Sequence, residues 1–362
     1  MRTVIAGGGL VGLTAAASLQ SIGHEVTVLE QAPEIRAAGA GIGLWPNALR
    51  EFDHIGVGAD VRDLGAWIDT WFFDPAGRPQ RAAGYGPDDH RFLLVPRPAL
   101  NQLLADRIGL DRIRLGARAT GCTETGTEVI VHLADGTDLR ADLLIGADGV
   151  HSRIRASLVP GSDAVPHEGH YAWRALVPAG AERPEGSVLT IGAERTRGGY
   201  ARVSADRTMW MVNQFDAGEL TGTKRDRALT RARHLAAQGW HADLLEMIAA
   251  TPEDAILENL ITLVPPLPRW TGRRVALVGD AAHGLSPHIA AGGTLGVEDI
   301  GVLRTHLASS PDAATAFTRY ERERRARFDQ VRAHSRAVEH ADGAADFAER
   351  YAAFSHWMLA SS

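Results

Sequence analysis

The first thirty residues carry the clearest structural pattern in the chain. An apolar stretch from Thr3 to Ala6 predicts a strand, an alanine-rich stretch to about Ile22 predicts a helix, and Glu25–Leu29 predicts a second strand. The turn between the first strand and the helix contains Gly7, Gly9 and Gly12, at the spacing of a phosphate-binding turn. The pattern therefore predicts a strand–helix–strand unit at the start of a parallel sheet.

Each glycine of this turn has its own physical role. Gly7 permits the tight turn, Gly9 lets the backbone approach a pyrophosphate, and Gly12 lets the helix pack closely on the strand. The first N–H groups of the helix would face the phosphates. Glu30, at the end of the second strand, can accept hydrogen bonds from a ribose diol. The unit predicts a dinucleotide site, and its glycines do not distinguish NAD from FAD.

The composition of the chain excludes several classes of function. A chain of 362 residues with 45% hydrophobic content can bury a large core, and its length suggests two domains. Its formal net charge of -6 gives no support to a nucleic-acid partner. Its single cysteine, Cys122, excludes intramolecular disulfides and thiolate metal clusters, so we expect no metal. No apolar run reaches membrane-spanning length and the chain opens directly into a strand, so we expect a cytoplasmic protein with no membrane partner.

Two later segments also place an acid beside glycine at the end of a predicted strand. In "ADLLIGADGVHSRIR", residues 141–155, Asp148 could hydrogen-bond a ribityl or ribose hydroxyl, and Arg153 or Arg155 could face phosphate. In "VGDAAHGLSPHIAAGG", residues 278–293, Asp280 is the only acid and is followed by small residues and two histidines. The alternatives are an ordinary Asp-Gly turn in the first segment and an ordinary strand-to-helix loop in the second.

Taken in order, these motifs resemble those of the class A flavoprotein monooxygenases, the aromatic hydroxylases that include 4-hydroxybenzoate and salicylate hydroxylases. The resemblance extends over nearly the whole chain. The motifs that carry it are Gly7–Gly12 with Glu30, "EIRAAGAGIGLWPNALR" (34–50), "VPRPALNQLL" with Arg97, "GADGVHSRIR" with Asp148, "VGDAAH" with Asp280, and "YERERRARFDQVRAHSR" (320–336).

The resemblance implies an α/β fold with a Rossmann-like FAD-binding domain, an inserted β-sheet substrate domain and C-terminal helices. Residues 1–70, 92–165 and 271–340 would form the discontinuous FAD-binding domain, residues 71–91 and 166–270 the substrate domain, and residues 341–362 a C-terminal helical segment. Short β-rich stretches separated by Gly, Pro and Asp agree with such an insert, including a hairpin near Trp67 to Gln80, and residues 224–250 are typical of helix.

The same resemblance implies where FAD would bind. Asp280 would reach the ribityl chain, Pro287 would lie against the isoalloxazine, and the helix beginning at Gly292 would point its N-terminus at the pyrimidine carbonyl. A positive helix end there would stabilise the negative charge of reduced flavin. The residues expected to contact FAD are Gly7, Gly9, Leu10, Val11, Gly12, Glu30, Gln31, Arg36, Arg97, Asp148, Asp280, Gly292, Gly293 and Thr294.

The implied function is that of an FAD-dependent monooxygenase. It would consume NAD(P)H and molecular oxygen and hydroxylate an aromatic or polyketide-like small molecule through a hydroperoxyflavin, as a monomer or a homodimer. Because "GAGIG" at 39–43 lies in a loop and no second strand-glycine-helix pattern exists, NAD(P)H would bind transiently. The alternative is a flavoprotein of the same fold that does not hydroxylate, namely an NAD(P)H oxidase, a halogenase-like protein or an FAD-binding protein without oxygenation.

Candidate catalytic residues come from two predicted strands and from the loop at Pro287. Strand alternation places Tyr200, Arg202 and Ser204 on one face of "GGYARVS", and Trp210, Val212 and Gln214 on one face of "TMWMVNQF". If these faces line the cavity, Tyr200 or Arg202 could orient or help deprotonate a phenol. His288, beside Pro287, could be a general base near the flavin. The alternatives are aromatic residues of the core, an ion pair for Arg202, and a loop histidine bonded to backbone.

The chain departs from the family after Pro287. Relatives typically continue with Gly-Gln-Gly, a small residue and Asn, whereas this chain has Ala-Ala-Gly-Gly-Thr at 290–294. We expect the Thr294 hydroxyl to cap the helix in place of the asparagine. We also expect the missing amides to enlarge the cavity and favour a substrate bulkier than a simple benzoate. The competing expectation is that the altered loop no longer supports oxygenation.

The C-terminal stretch from about Asp312 predicts a helix with a solvated, charged face. Glu321 with Arg325, and Glu323 with Arg327, have the i,i+4 spacing of ion pairs on such a face.

Overall fold

The first strand–helix–strand unit forms where the sequence predicts it. The computed structural model of the chain describes residues 1–35, 41–180, 187–192, 194–236 and 239–360. Its first elements are strand β1 (Arg2–Ala6), helix α1 (Leu10–Ser21) and strand β2 (Glu25–Leu29). Strand β1 pairs parallel with β2, as a connection through a helix requires.

Most of the other strands are short and are bounded by turns. They are β3 (Gly41–Leu44), β4 (Ala66–Phe73), β5 (Pro79–Gln80), β6 (Arg91–Pro96), β7 (Ile113–Arg114), β8 (Ala119–Glu124), β9 (Val129–Leu133), β10 (Asp138–Ala141), β11 (Leu143–Gly146), β12 (Val165–Pro178), β13 (Ser187–Ile191), β14 (Thr196–Ser204), β15 (Arg207–Gln214), β16 (Leu257–Leu263) and β17 (Val275–Leu277). Strands β4 and β5 pair antiparallel at the predicted hairpin.

The helices begin at residues suited to helix starts. Proline stands in the first turn of α2 and α4, and the Asp312 carboxylate caps α10 by accepting a hydrogen bond from the N–H of Thr315. The helices after α1 are α2 (Pro46–His54), α3 (Gly58–Leu64), α4 (Arg97–Ile108), α5 (Arg153–Leu158), α6 (Lys224–Ala232), α7 (Ala242–Ala250), α8 (Asp280–His283), α9 (Gly292–Ser309), α10 (Ala313–Glu339) and α11 (Gly343–Ala360). Among the described residues, no helix combines the length and the apolar character that crossing a membrane requires.

A five-stranded parallel sheet positions the motifs found in the sequence. Its strand order is β17-β11-β1-β2-β7, and every neighbouring pair is parallel. The carboxyl ends of these strands therefore lie along one edge, which is where open α/β sheets bind ligands. The glycine turn follows β1, Glu30 follows β2, Asp148 follows β11 and Asp280 follows β17. Four segments that are far apart in the sequence thus meet at one edge, and the predicted α/β class is confirmed.

A second, mostly antiparallel sheet has both of its faces covered. Its order is β16-β12-β15-β14-β13-β4-β6-β3, with β5 paired to β4. On one face, Trp173, Tyr200 and Trp210 pack with apolar residues of α6 and α7. On the other face, Ala201, Val203 and Met209 belong to the core that includes β1, α1 and α9. Strands β8, β9 and β10 form a separate three-stranded sheet.

Helix α10 is less solvated than its charge pattern indicates. The predicted pair Glu321–Arg325 forms, with 2.9 Å between Oε1 and Nη1. The predicted pair Glu323–Arg327 is wrong, because Arg327 bonds Glu298 of α9 at 2.9 Å and Glu323 lies 2.9 Å from the His306 ring. The reason is the packing of α10 against α9. Arg327 pairs with a carboxylate of α9 and not with Glu323, one turn away on α10.

Candidate functional site

The glycine turn after β1 is close-packed at two positions and open at a third. Gly7 has a φ of +108°, and a Cβ there would lie 2.3 Å from the carbonyl oxygen of Ala147. A Cβ at Gly12 would lie 1.9 Å from the carbonyl oxygen of Gly7, so neither position tolerates a side chain. A Cβ at Gly9 would meet no atom within 4 Å. Gly7 and Gly12 therefore shape the turn, and Gly9 leaves space in front of α1.

The residues after β2 close the other side of this turn. The two Glu30 carboxylate oxygens accept hydrogen bonds from the N–H groups of Gly8 and Ala32, each at 2.8 Å. A carboxylate has about four acceptor sites, so Glu30 can still accept from a ligand hydroxyl. Gln31, which follows, is exposed. Arg36 lies outside the described residues.

Asp148 holds the start of α5. Its carboxylate accepts hydrogen bonds from the Ser152 hydroxyl at 2.5 Å and from the N–H groups of Arg153 and Ile154 at 2.7 and 3.2 Å. Burial raises the pKa of Asp148 above its ordinary value, and these three hydrogen bonds oppose that shift. Of the two neighbouring arginines, Arg153 is exposed, whereas Arg155 is buried.

Arg155 joins this loop to the one that carries Asp280. Its guanidinium donates to the carbonyl oxygens of Val150 at 2.7 Å, Ser162 at 2.8 Å and Ala281 at 3.1 Å. Because all three nitrogens are used in this way, Arg155 supports the loops that would surround a cofactor.

The Gly279–Asp280 turn has a backbone shape that only glycine adopts easily. Gly279 has φ 57° and ψ −140°. Its N–H donates to Oδ2 of Asp299 at 2.8 Å. Asp280, at the start of α8, is exposed, so its carboxylate is accessible at the sheet edge. The fixed turn thus points an acid into the open part of the site.

Four side chains, which we call the Asp299 cluster, hold this turn from below: the buried Asp299, His283 and Arg324 and the partly buried Glu298. Asp299 accepts from His283 Nε2 and from Arg324 Nε, each at 2.7 Å. Arg324 also contacts Glu298 at 2.9 Å and donates to the carbonyl of Leu295 at 3.2 Å. Burial by itself would raise the pKa of Asp299, but the charges of His283 and Arg324 hold it below its ordinary value. Asp299 is therefore an anion at neutral pH.

The N-terminus of α9 lies beside Asp280 and has no side-chain cap. The residue before α9, Ala291, makes no capping hydrogen bond. A Cβ at Gly292 would find Asp280 Oδ1 at 3.8 Å as its nearest neighbour, whereas a Cβ at Gly293 would lie 2.5 Å from Ile42. The expectation that Thr294 caps the helix is wrong, because its buried hydroxyl accepts from the N–H of Trp45 at 3.0 Å. The first N–H groups of α9 thus stay available to a ligand.

These residues fit a dinucleotide such as FAD. Two helix starts without side-chain caps, at Leu10 and Gly292, open onto free space on the same side of the parallel sheet. Val11 lies between them and packs so closely that a Cβ on Gly296 would come within 2.4 Å of it. Uncapped helix N-termini attract anionic groups, through both their N–H groups and their dipole.

Arg97, at the start of α4, adds positive charge near the same place. It is partly buried, and burial lowers its pKa, while the negative charge of Asp280 opposes that shift. Arg174 of β12 lies close enough for the charge of Arg97 to lower its pKa further. The charges of Asp280, Arg97 and Arg174 therefore lie close enough together to interact.

His288 lies on a short turn of 3-10 helix, Pro287–Ile289, between α8 and α9. Pro287 is exposed at its start. Both ring nitrogens of His288 are engaged: Nδ1 is 2.7 Å from the Ser286 hydroxyl, and Nε2 is 2.9 Å from the carbonyl oxygen of Ser335. The Ser286 hydroxyl is also 3.2 Å from Nδ1 of His170, on β12. The structure therefore links His288 to the second sheet through one serine.

This linkage determines which nitrogens carry protons. Burial lowers the pKa of His288 well below its ordinary value, and it lowers the pKa of His170 to about 3, so both rings are neutral at pH 7. Because a carbonyl only accepts, His288 Nε2 carries the proton and Nδ1 accepts from Ser286. Ser286 then accepts from His170 Nδ1, which leaves His170 Nε2 as an unprotonated acceptor.

Around His170 lies a second group, which we call the Arg197 cluster: the buried Arg197, Phe215 and His170 and the partly buried His167 and His288. The His170 ring stacks on Phe215 with 3.9 Å between centroids, and His288 meets the same ring edge-on at 5.8 Å. The Arg197 guanidinium lies 4.9 Å from the Phe215 centroid and 4.8 Å from that of Phe347, on α11. Nη2 of Arg197 donates to the carbonyls of Val338 and Glu339 at 3.1 and 2.6 Å.

The strand residues proposed from alternation do not join this cluster. Tyr200, Trp210 and Val212 face α6 and α7, and the Tyr200 ring lies 5.8 Å from His241. Arg202 donates to the carbonyls of Ala205 and Gly180, each at 3.2 Å. Catalytic roles for Tyr200 and Arg202 required their face of the strand to line the cavity. The face that turns towards the segment before α9 is instead the one with the odd-numbered residues, including Arg197 and Phe215, so this requirement is not met.

Sequence reasoning missed residues that act through tertiary contacts. His170, Arg197 and Phe215 lie on β-rich segments without a motif, and Asp299 and Arg324 lie on amphipathic helices. A usable signal was present in "TRGGYARVS", where Arg197 alternates with small residues and so could have been assigned to the second face.

Comparisons with known proteins agree with the site geometry. The chain matches the FAD binding domain family over residues 1–335. It is 30% identical to the aurachin C monooxygenase/isomerase of Stigmatella aurantiaca over 333 aligned residues, covering 89% of this chain and 84% of that protein. It is 31% identical to the FAD-dependent urate hydroxylase of Klebsiella pneumoniae over 345 aligned residues, covering 90% and 86%.

A solved structure extends the comparison to three dimensions. The crystal structure of Klebsiella pneumoniae HpxO complexed with FAD and uric acid superposes with a TM-score of 0.83 at 27% identity, covering 98% of this chain and 93% of that one. The similarity therefore spans both sheets and the segments between them.

Proposed function

We propose, on the premise that this chain belongs to the FAD binding domain family of FAD-dependent aromatic monooxygenases, that it hydroxylates an aromatic or polyketide-like small molecule. FAD is its cofactor, and NAD(P)H and molecular oxygen are its cosubstrates. Bound FAD, reduced by NAD(P)H, supplies the activated oxygen that is transferred to an electron-rich carbon of the substrate. The family relatives named as hydroxylases and monooxygenases favour this reading over a flavoprotein that does not oxygenate.

One observation carries the proposal: the segment Ser286–Gly292 separates two different kinds of surface. On one side is the uncapped N-terminus of α9, next to Asp280. On the other side are the His170 and Phe215 rings of the second sheet, reached through Ser286. A cofactor ring held by the first surface would thus lie close to aromatic side chains of the second sheet, and oxygen transfer requires cofactor and substrate to be held next to each other.

The residues that would hold FAD follow from the first surface. The start of α1, opened by Gly9, would face the pyrophosphate, and Glu30 would accept from ribose hydroxyls. Asp280 would accept from the ribityl chain, and Arg97 would balance the negative charge of the phosphates. The N–H groups at Gly292 and Gly293 would stabilise negative charge on the pyrimidine part of the ring.

The second surface would handle the substrate. His288 has both nitrogens occupied, so its effect on a substrate would pass through Ser286 to His170. The unprotonated Nε2 of His170 can accept a hydrogen bond from a phenolic or enolic hydroxyl. The rings of Phe215 and Phe347 would exclude water from this part of the site, which limits loss of activated oxygen to peroxide.

Oxygenation is tested with isotopically labelled oxygen. The purified protein, loaded with FAD, is incubated with NADPH or NADH, ¹⁸O₂ and a panel of phenols and hydroxylated heteroaromatic acids. We expect at least one compound to accelerate NAD(P)H oxidation and to gain one ¹⁸O atom, detected by mass. If FAD binds and NAD(P)H is oxidised but all reducing equivalents appear as hydrogen peroxide, the protein is an oxidase and the proposal fails.

A further inference from the structure

Ala290, just before α9, has a backbone conformation that alanine avoids. Its φ of 52° and ψ of 29° place it in the left-handed region. A residue with a Cβ is disfavoured there by a factor of about 5–30 relative to the right-handed helical region. A residue keeps such a conformation only when the structure around it holds it in place. The contacts on either side of Ala290 therefore call for an explanation.

Ala290 is the joint between a short turn and helix α9. Its N–H donates to the carbonyl oxygen of Pro287 at 2.9 Å, which closes the turn. The carbonyl oxygen of Ala291 accepts from the N–H of Leu295 at 2.9 Å, in the first turn of α9. Ile289 and Ala291, on either side of the joint, are fully buried. The conformation of Ala290 thus sets the position of the start of α9 relative to the turn.

His288 ties this turn to helix α10. Its Nε2 proton is donated to the carbonyl oxygen of Ser335 at 2.9 Å, and its Nδ1 accepts from the Ser286 hydroxyl at 2.7 Å. The ring is neutral because burial lowers its pKa, so these donor and acceptor roles do not exchange at neutral pH. Both nitrogens of His288 are used in fixing the turn two residues before Ala290.

Helix α10 supports the cofactor side of the site at two points. At the first point, Arg324 holds Asp299, which accepts the N–H of Gly279 at 2.8 Å. At the second point, about three helical turns further along α10, the Ser335 carbonyl holds His288. The segment that begins at Gly279 and leads to α9 is therefore attached to the same helix near both of its ends.

We propose that His288 is a positioning residue for the flavin. By tying the turn to α10, it holds Ala290 in the left-handed conformation and so fixes where α9 begins. The N–H groups at Gly292 and Gly293 would then meet the pyrimidine part of FAD in one defined position. This inference goes beyond the proposed function, because it uses the placement of FAD at α9 and makes no use of the hydroxylation step.

Two polar substitutions at His288 separate the two hydrogen bonds. His288→Gln places an amide N–H at about the position of Nε2 and can still donate to Ser335. His288→Asn is shorter: its amide lies nearer the position of Nδ1, so it can bond Ser286 and does not reach Ser335. Neither variant introduces a charge, so the comparison isolates the bond to α10.

The midpoint potential of bound FAD, measured under anaerobic conditions without substrate, reports the position of α9. We expect His288→Asn to lower it by about 30 mV, a tenfold loss of preference for the reduced form in a two-electron couple. The reason is that a displaced helix start stabilises negative charge on reduced flavin less well. His288→Gln should stay within about 10 mV of wild type, a factor of about two. Equilibrium dialysis measures FAD affinity in parallel.

A second substitution tests whether the effect passes through Ala290. Glycine adopts positive φ about as readily as negative φ, so Ala290→Gly removes the strain at the joint. Added to His288→Asn, it should recover at least about half of the lost potential, because the left-handed conformation no longer needs the bond to α10. A general loss of stability at His288 would not respond to Ala290 in this way.

His241→Asn is the matched control. His241 is also buried, has a φ of 58° and precedes a helix, α7, on the other face of the second sheet. Asparagine tolerates the left-handed region, so the control should fold. It should leave the potential and the FAD affinity unchanged. Circular dichroism and the thermal midpoint establish that each variant is folded.

Two outcomes would overturn the inference. One is a folded His288→Asn protein with the potential of wild type. The other is a lowered potential that Ala290→Gly does not restore, since Ala290 would then not be the joint. Both are measured without substrate or oxygen and leave the ¹⁸O experiment unaffected, so failure of this inference is distinguishable from failure of the proposed function.

Discussion

Two arginines that are equally buried have opposite surroundings. Arg324, in the Asp299 cluster, and Arg197, in the Arg197 cluster, are each 4% exposed. All three guanidinium nitrogens of Arg324 have partners, namely Asp299, Glu298 and the carbonyl of Leu295. Arg197 uses Nη2 alone. The charges around Arg324 raise its pKa, whereas burial lowers that of Arg197.

The difference lies in how completely the hydrogen-bonding groups of each buried arginine are paired. A buried charge with complete partners holds elements of the fold in place, and here it fixes the Gly279–Asp280 turn through Asp299. A buried charge with unpaired donors has hydrogen-bonding capacity that the packing around it does not use, as Nε and Nη1 of Arg197 show. The Asp299 cluster would thus support the cofactor side of the site, whereas the Arg197 cluster keeps unpaired donors beside the second sheet.

The largest expected effect is that of Arg324→Met. The substitution leaves Asp299 buried without its arginine, whereas Glu298 keeps Arg327, and breaking a buried pair such as Arg324–Asp299 costs about 3–5 kcal/mol. Urea unfolding of the FAD-free protein measures this loss. Because Asp299 would no longer hold Gly279, we also expect weaker FAD binding in equilibrium dialysis. A loss below about 1 kcal/mol would mean that the Asp299 cluster is not a structural support.

The glycine turn shows the same contrast between closed and open positions on a smaller scale. Gly12→Ala forces a methyl group against the Gly7 carbonyl oxygen and should destabilise the protein by about 1–3 kcal/mol. A methyl group at position 9 meets no atom, so Gly9→Ala should keep a free energy of unfolding within about 0.5 kcal/mol of wild type.

Gly9→Trp should fold and yet fail to take up FAD, since its side chain fills the space in front of α1. A Gly9→Trp protein that is yellow as purified would contradict this use of the space.

The pH dependence of stability should reveal the neutral histidines. The pKa of His170 is about 3 in the folded state, against about 6.5 in the unfolded chain. Between these values the unfolded chain binds the extra proton, so stability falls as the pH is lowered from about 6.5 towards 3. Each such histidine adds a slope of about 1.4 kcal/mol per pH unit.

His170→Asn should flatten the profile by that amount relative to wild type, in urea unfolding at several pH values. His288, whose pKa is also lowered by burial, contributes in the same direction, so the slope should be reduced and not removed. Identical slopes for the variant and wild type would show that His170 is protonated in the folded protein.

The smallest expected effect on stability is that of Arg197→Met. Replacing an incompletely paired buried charge by an apolar side chain of similar length is often neutral or stabilising. We therefore expect a free energy of unfolding within about 1 kcal/mol of wild type, although the same change at the equally buried Arg324 costs several times more. A loss comparable to that of Arg324→Met would erase the distinction between the two clusters.

The part of the site at the sheet edge was accessible from sequence because each of its residues follows a strand. Gly7, Glu30, Asp148 and Asp280 stand directly after β1, β2, β11 and β17, and the ends of parallel strands meet by geometry. The strand β2 begins and ends as predicted, and the α/β class is confirmed. The assignment of individual FAD contacts stays a prediction. Thr294 shows the limit of motif reasoning, since its hydroxyl bonds Trp45, almost 250 residues earlier in the chain.

The Asp299 cluster was hidden because its partners lie on different helices. Arg324 belongs to a run of charges that predicts a solvated face, and only the packing of α10 against α9 buries it beside Asp299. Spacing along one helix predicts pairs within that helix, as for Glu321 and Arg325. It contains no information about which residues of another helix will lie opposite.

The sequence by itself determined the parallel sheet and the turns after its strands, because these follow from local periodicity and from residues adjacent to one another. The family was indicated separately, by the resemblance of the motifs. The tertiary structure alone decided which face of the second sheet belongs to the site. Alternation divides β14 into one face with Tyr200 and another with Arg197, and both are apolar enough to be buried. Helices α6 and α7 cover the first face, and the segment before α9 covers the second. Which face belongs to the site therefore depended on long-range packing, which strand alternation alone does not specify.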